Sequence, residues 1–86
     1  MAYQVIVPKA VQKQIDALPH RIGVKISEHI AALADDPRPR GYIKLRGFSN
    51  QYRIRIGNYR IRYRIDDNKV IVFVLSATHR KDAYKD

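Results

Sequence analysis

The chain of 86 residues contains no cysteine, which excludes disulfide bonds, cysteine-ligated zinc, iron–sulfur clusters and thiol catalysis. No apolar run approaches the roughly 18 residues that a membrane-spanning helix needs. The first residues also lack the charged-then-apolar pattern of a signal peptide. A chain this short has room for one core, so residues 1–86 are predicted to form a single domain. We therefore expect a cytoplasmic globular protein that does not interact with the membrane.

Acidic residues are absent from the middle of the chain. The protein has 17 Lys and Arg against 8 Asp and Glu, a net charge of +9. The two signs balance before Pro37 and after Ile65, so the segment between these residues holds the whole excess, with eight arginines and one lysine. Arginine favours phosphate, because its planar fork binds two oxygens and stays charged. The segment therefore predicts a surface for nucleic acid or for a strongly acidic protein.

The spacing of apolar residues predicts the order of the elements. Residues 3–7 alternate as a short strand does, and two apolar stripes at helical spacing follow on either side of Pro19. These stripes are Val11, Ile15 and Leu18, then Ile22, Ile26, Ile30 and Leu33. The period then changes to two, which indicates strands at 42–46, 52–56, 59–65 and 69–76. The last strand is apolar throughout, so we expect both of its faces to be covered.

The resulting fold class is α+β. The predicted order is β-α-α-β-β-β-β with a short C-terminal helix, and a curved antiparallel sheet packs on the helical hairpin. The sequence Gly57-Asn58 is a two-residue turn signal, which fixes the register of the strands on either side of it. The predicted pairs are Ile56 with Tyr59, Arg55 with Arg60, Ile54 with Ile61, Arg53 with Arg62, and Tyr52 with Tyr63.

This register places every apolar pair on one side of the hairpin and every arginine on the other. Like charges placed directly opposite each other destabilise a sheet by about 0.2–1 kcal/mol per pair, which favours a functional reason for the pattern. We call this side the arginine face and define it by Arg53, Arg55, Arg60, Arg62 and Arg64. We expect it to bind phosphate.

The segment after the hairpin is expected to complete this site. Ile71, Phe73 and Leu75 are predicted to lie on the same side as the arginines and to make the site partly apolar, which strengthens electrostatic contacts. His79 follows this strand and is expected to emerge beside the arginine face. The three histidines have no metal-ligand spacing, so a nuclease with this sequence would work without a metal ion or other cofactor.

Two stretches of the sequence resemble the RelE/ParE toxin superfamily. They are Asn-Tyr-Arg-Ile-Arg-Tyr at 58–63 and His-Arg-Lys-Asp-Ala-Tyr at 79–84, on either side of the apolar strand at 70–75. The sequence is most similar to RelE-type messenger-RNA interferases of type II toxin–antitoxin systems. The resemblance implies cleavage of messenger RNA in the ribosomal A site, where the 2′-hydroxyl attacks the adjacent phosphate and leaves a 2′,3′-cyclic phosphate. It also implies a RelB-type antitoxin as partner.

The resemblance further implies roles for individual residues. Arg60 stabilises the charged transition state, Arg80 is a general acid or a phosphate ligand, and Tyr84 stacks on a base. Two further arginines of the arginine face and three basic residues outside it are expected to bind RNA: Arg62, Arg64, Lys44, Arg46 and Lys81.

The sequence departs from this pattern at two positions. Arg53 and Arg55 stand where some members of the family have two lysines. Arginine has a pKa above about 12 and cannot act as a neutral general base. Either these arginines stabilise an anionic 2′-oxygen electrostatically, or His79 carries a proton step.

Three other functions are open on the sequence alone. The chain could be a ParE-type toxin, which has the same fold and inhibits DNA gyrase without nuclease activity. It could be a non-enzymatic nucleic-acid-binding module, or a decayed toxin that survives as a partner of an antitoxin. The set of Arg60, Arg80 and Tyr84 favours RNA cleavage, because the ParE branch generally lacks it.

Overall fold

The computed structural model describes residues 2–81 of the chain. The predicted α+β class and the order of the elements are confirmed, whereas the predicted C-terminal helix lies outside the described residues. The elements are β1 (Gln4–Ile6), α1 (Lys9–Asp16), α2 (His20–Ala32), β2 (Ile43–Lys44), β3 (Gln51–Ile56), β4 (Tyr59–Asp66) and β5 (Ile71–His79). Within residues 2–81, neither helix is long and apolar enough to cross a membrane.

The five strands form one sheet in the order β1-β5-β4-β3-β2. The neighbours from β2 to β5 are antiparallel, as predicted. The prediction fails at the edge, where β1 pairs with β5 in parallel and Val5 lies opposite Val72. Local periodicity does not report strand direction. A parallel neighbour needs a long crossover, and here the chain from α1 to β4 separates the two strands.

The two helices cover one side of the sheet. Pro8 and Pro19 immediately precede α1 and α2, where a residue without a backbone N–H is tolerated. The predicted stripes lie largely in the core, with Ile22 and Leu18 packed at its margin. The buried residues that the helices and their ends contribute are Val11, Ile15, Ile26, Ile30 and Leu33. The sheet contributes the apolar residues of the β3–β4 hairpin together with Val72, Val74 and Ala77.

The strand β5 differs from its prediction in length and in cover. It extends to His79 instead of ending at residue 76. Val72 and Val74 are fully buried, but Leu75 is 39% exposed, so the expectation that both faces are covered is wrong. The helices cover only one side of the sheet, and the other side of β5 continues the arginine face. The strand β2 is also shorter than the predicted 42–46, as is common at a sheet edge.

Candidate nucleic-acid interface

The hairpin of β3 and β4 builds the arginine face. All five predicted pairs are confirmed, so that Arg55 lies opposite Arg60 and Arg53 lies opposite Arg62. Gly57 has a φ of 60° at the first turn position, a left-handed conformation that glycine adopts without a steric cost. The alternation of apolar and basic residues thus fixes both the register and the side on which the arginines lie.

A hollow of about 130 Å³ opens on this side of the sheet. It is lined by Gly41, Ile43, Arg53, Arg55 and Arg60. The Arg55 side chain is held in place because its Nε donates a hydrogen bond of 2.9 Å to the carbonyl oxygen of Gly57. Three arginines around one hollow concentrate positive charge and hydrogen-bond donors at a single point. Such an arrangement suits a phosphate group, whose oxygens accept paired hydrogen bonds from a guanidinium.

Aromatic rings lie among these arginines. The Cζ of Arg62 is 5.7 Å from the centre of the Phe48 ring, and that of Arg64 is 4.4 Å from the centre of Phe73. The Nη2 of Arg62 donates a hydrogen bond of 3.0 Å to Oε1 of Gln51. The buried Nε atoms of Arg53 and Arg62 have no hydrogen-bond partner among residues 2–81. Buried donors without a partner are uncommon in native proteins, and a bound anion is one explanation for them.

The register of β2 corrects one predicted RNA-binding residue. Ile43 lies opposite Arg53, and Lys44 lies opposite the buried Tyr52. Paired residues in a sheet point to the same side, so Ile43 belongs to the arginine face and Lys44 to the opposite side. Arg46 follows in the exposed loop between β2 and β3.

At the end of β5, Arg80 lies near the hairpin turn, whereas His79 lies on the core side of the sheet. The backbone N–H of Arg80 donates a hydrogen bond of 2.8 Å to the carbonyl oxygen of Asn58, which keeps Arg80 near the hairpin turn. The exposed Lys81 follows it. His79 instead packs its ring against Tyr59, with the ring centres 5.2 Å apart, on the side of the core residues. The expected position of His79 beside the arginine face is therefore wrong. Tyr84 lies outside the described residues.

Two residues that were not predicted join the arginine face. Thr78 lies opposite Arg60 and Ser76 lies opposite Arg62. A β-bulge shifts the register between Arg62 and Tyr63, so that Leu75 has no residue opposite it and the alternation of β5 changes phase. Of the predicted apolar residues, Phe73 contacts the face through Arg64. The polar–apolar–polar run from Ser76 to Thr78 is the sequence signal that could have revealed this extension.

Arg38 belongs to the basic segment but lies in a separate cluster. Its Nη2 lies 2.9 Å from Oδ2 of Asp67. The same Nη2 donates a hydrogen bond of 3.2 Å to the hydroxyl oxygen of Tyr52. The Tyr3 hydroxyl donates a hydrogen bond of 2.7 Å to Oδ1 of Asp67. We call these four residues the Arg38 cluster. Hydrogen bonds from Arg38 and then Tyr3 lower the pKa of Asp67, and the bond to Asp67 raises the pKa of Tyr3.

Comparison with known proteins identifies the family. The family model described as the ParE toxin of the type II toxin–antitoxin system parDE matches residues 5–84. The toxin RelG of Mycobacterium tuberculosis is 31% identical over 86 residues, which span 99% of each chain. The chain is a member of the RelE/ParE toxin family. It is a RelE-type toxin of a type II toxin–antitoxin system, and the membership expected from its sequence is confirmed.

Solved structures of RelE toxins share its fold. The RelE chain in the archaeal RelE–RelB complex from Pyrococcus horikoshii is 30% identical, with a TM-score of 0.81 over 93% of this chain and 97% of that chain. A variant of the E. coli RelE toxin in the free state is 27% identical, with a TM-score of 0.79 over 96% of this chain and 88% of that chain. The arginine face therefore lies on a RelE toxin fold.

Proposed function

We propose that this RelE-family toxin is a ribosome-dependent endoribonuclease that cleaves messenger RNA in the A site. The observation that carries the proposal is the convergence of Arg53, Arg55 and Arg60 on one hollow of about 130 Å³. The reaction would proceed by attack of a 2′-oxygen on the adjacent phosphorus, and the 2′-hydroxyl proton would pass to solvent. The bond from phosphorus to the 5′-oxygen breaks, and that oxygen takes up a proton. The products are a 2′,3′-cyclic phosphate and a 5′-hydroxyl.

The arginines would act on the charge that develops in this reaction. The phosphate gains negative charge as the 2′-oxygen adds, and donors already in place stabilise that charge without reorganisation. Arg60 has this role in the proposal, together with Arg53 and Arg55. Arg80 beside the hairpin turn would contact the phosphate or the leaving oxygen, and Tyr84 would stack on a base. The reaction uses arginine side chains instead of a metal ion.

The position of His79 argues against it as the acceptor of the 2′-hydroxyl proton. Its ring packs on Tyr59, on the other side of the sheet from the hollow. The proposal therefore gives His79 no proton step. Arg53 and Arg55 would act by electrostatic stabilisation of the anionic 2′-oxygen, since an arginine does not lose its proton in a protein. The proposal leaves solvent as the acceptor of the 2′-hydroxyl proton, so the reaction should be faster at higher pH.

The proposed partners are a RelB-type antitoxin and the ribosome with messenger RNA in its A site. The neighbour from Pyrococcus horikoshii was solved as a RelE–RelB complex, which supports the antitoxin. The charge of +9 suits an acidic antitoxin segment and an RNA-rich particle alike. Action on the ribosome would place the toxin in the cytoplasm.

A second candidate function is inhibition of DNA gyrase. The family model that matches residues 5–84 is described as a ParE toxin, and this is the observation that favours it. A gyrase inhibitor would not require three arginines around a single hollow. Supercoiling by purified gyrase, measured with and without the toxin, is therefore the natural parallel assay.

The deciding experiment is a defined translation reaction in which messenger ends are read by primer extension. Wild type is compared with the Arg60→Ala/Arg80→Ala variant, with and without ribosomes. The matched control is Lys25→Ala, which removes one exposed positive charge from α2. We expect A-site cleavage by wild type and the control, only with ribosomes, and none by the double variant. Intact messenger in every lane would contradict the nuclease function and leave gyrase inhibition as the candidate.

A further inference from the structure

Phe48 is an exposed aromatic residue at the edge of the arginine face. Its side chain is 46% exposed, in the loop between β2 and β3. Gly47 precedes it with a φ of 82°, so the chain turns sharply just before the ring. The ring lies 5.7 Å from Cζ of Arg62, which places it on the side of the sheet that carries the arginines. A single exposed aromatic is ordinary by itself, but this one lies within a basic surface.

Arg62, which lies against the Phe48 ring, is held in place by the sheet. Arg62 is part of β4, and its Nη2 donates a hydrogen bond to Oε1 of Gln51, the first residue of β3. The guanidinium is therefore fixed between two strands and contacts the ring. By comparison, Phe73 on the same face is half-buried and has Arg64 at 4.4 Å from its ring centre. Phe48 thus offers the more accessible aromatic surface of the two.

The hollow and the ring are neighbours. Arg53 lines the hollow and lies opposite Arg62, and Cα atoms of such paired residues are about 4.5–5.5 Å apart. Arg62 in turn contacts Phe48. Positive groups along a sheet, with an exposed aromatic ring beside them, are the combination by which proteins bind single-stranded nucleic acid. The arginines attract the backbone, and the ring offers a flat apolar surface to a base.

We propose that Phe48 is a base-stacking residue for single-stranded RNA and binds a nucleotide next to the one whose phosphate occupies the hollow. The inference rests on the proposed function in taking RNA as the ligand. Arg62 would bind the backbone through Nη1 and support the ring at once, because its Cζ lies 5.7 Å from the ring centre and its hydrogen bond to Gln51 uses only Nη2. Loss of one base–aromatic stack reduces affinity by about 5- to 150-fold.

A fluorescence experiment tests the contact directly. The chain contains no tryptophan, so Phe48→Trp introduces a single indole at the proposed site, which can be excited separately from the six tyrosines. The matched control is Val24→Trp on α2, because Val24 is 44% exposed and starts from a similar exposure. Each variant is titrated at low salt with a short single-stranded RNA, with an abasic oligomer of the same length, and with polyglutamate. We expect RNA alone to quench the fluorescence of the Phe48→Trp variant, and none of the three ligands to change that of the Val24→Trp variant.

Several outcomes would overturn the proposal. Equal quenching of the Phe48→Trp variant by the abasic oligomer or by polyglutamate would mean that its indole reports neutralisation of Arg62 and not stacking. An equal response to polyglutamate would in addition indicate an acidic protein segment as the occupant. No quenching by RNA under conditions in which the oligomer is bound would contradict stacking. Failure of the wild-type protein to bind the oligomer at low salt would contradict it equally.

Affinity measurements separate stacking from a structural role. We expect Phe48→Ala to weaken binding of the RNA oligomer by about 5- to 150-fold and to leave binding of the abasic oligomer unchanged, whereas Phe48→Tyr keeps both. A loss of affinity for both ligands would indicate a disturbed fold.

The translation assay distinguishes this inference from the proposed function. If wild type cleaves and Phe48→Ala binds RNA equally well, the stacking site is wrong and the nuclease function stands. If wild type does not cleave but RNA quenches the Phe48→Trp variant, the nuclease function is wrong and the stacking site stands.

Discussion

Arg38 and Arg53 belong to the same basic segment, yet they lie in opposite electrostatic environments. Arg38 has a carboxylate at 2.9 Å and a tyrosine hydroxyl at 3.2 Å. Arg53 lies opposite Arg62 in the sheet and lines a hollow with two more arginines. The first arrangement uses a guanidinium to join distant parts of the chain. The second holds positive charges together at a cost in stability, which is typical of a site that binds an anion.

The Arg38 cluster shows how this structural role is achieved. Asp67 follows β4 and Tyr3 precedes β1, while Arg38 lies in the connection between α2 and β2. Their hydrogen bonds therefore tie three separate segments at one end of the sheet. The ring of Tyr52 adds a cation–π contact, since Cζ of Arg38 lies 5.2 Å from its centre. Net charge alone does not distinguish such an arginine from one that binds a ligand.

The largest expected difference between the two environments is in catalysis. Arg60→Ala should reduce the rate of messenger cleavage by about 10²–10³, because it removes a donor aimed at the developing charge. Arg38→Ala should cleave at nearly the wild-type rate once its folded fraction is matched. Single-turnover cleavage on programmed ribosomes measures both variants. An equal loss in the two would mean that the arginine face has no special part in the reaction.

The salt dependence of RNA affinity should also distinguish the arginine face from the Arg38 cluster. With about five arginine–phosphate contacts, affinity for single-stranded RNA should fall by about 10² between about 50 and 200 mM salt, because each contact releases counterions. The Arg53→Ala/Arg62→Ala variant should show a fall of only about 20-fold, and Arg38→Ala should keep the wild-type slope. Fluorescence anisotropy of a labelled oligomer gives the three slopes. An affinity that does not depend on salt would contradict phosphate binding by the face.

The arginine face could be predicted from sequence because its information is local. Alternation with period two, together with Gly57-Asn58, determines which residues pair and on which side they lie. The features that were wrong or not predicted depend on relations that are not local. The parallel pairing of β1, the partner of Arg38 and the side on which Lys44 lies all depend on segments far apart in the chain. The bulge at Leu75 reverses the alternation within one strand, so a single period over the whole strand could not place Ser76 and Thr78, and only their own polar–apolar–polar run indicates their side.

Tyr63 stacks on Tyr52 of the Arg38 cluster and tests how much a buried hydrogen bond contributes to stability. Tyr63 is fully buried, and its hydroxyl donates a hydrogen bond of 2.8 Å to the carbonyl oxygen of Pro37. Burial raises the pKa of this hydroxyl. Tyr63→Phe should lower the free energy of unfolding by about 1–2 kcal/mol, since it leaves a buried carbonyl without its donor. Urea denaturation measures the loss, and Tyr42→Phe at an exposed position should change stability by less than about 0.5 kcal/mol.

The contacts of Arg38 itself are expected to contribute less. Arg38→Ala removes a partly exposed ion pair, a hydrogen bond and a cation–π contact, and should cost about 1 kcal/mol of stability after solvent screening. A double-mutant cycle with Asp67→Ala separates the ion pair from the contact with Tyr52. Arg53→Ala makes the useful contrast, because removal of a like-charged neighbour should leave stability unchanged or slightly higher. A clear loss of stability in Arg53→Ala would remove the distinction between the two environments.

The smallest expected effect is the dependence of stability on pH at Asp67. Hydrogen bonds from Arg38 and Tyr3 lower the pKa of this carboxyl in the folded protein below its value in the unfolded chain. The contribution of the cluster is therefore present above the unfolded pKa of about 3.9 and is lost as the pH falls through the lower folded value. Asp67→Asn should be less stable near neutral pH and should approach wild type in acid, as urea midpoints measured from about pH 6 down to pH 2 would show. The arginine face has no acid between Pro37 and Ile65 to titrate in this range, so the curve of Arg53→Ala should have the same shape as the wild-type curve, at the same or slightly higher stability. Parallel curves for wild type and Asp67→Asn would mean that the carboxylate does not stabilise the Arg38 cluster.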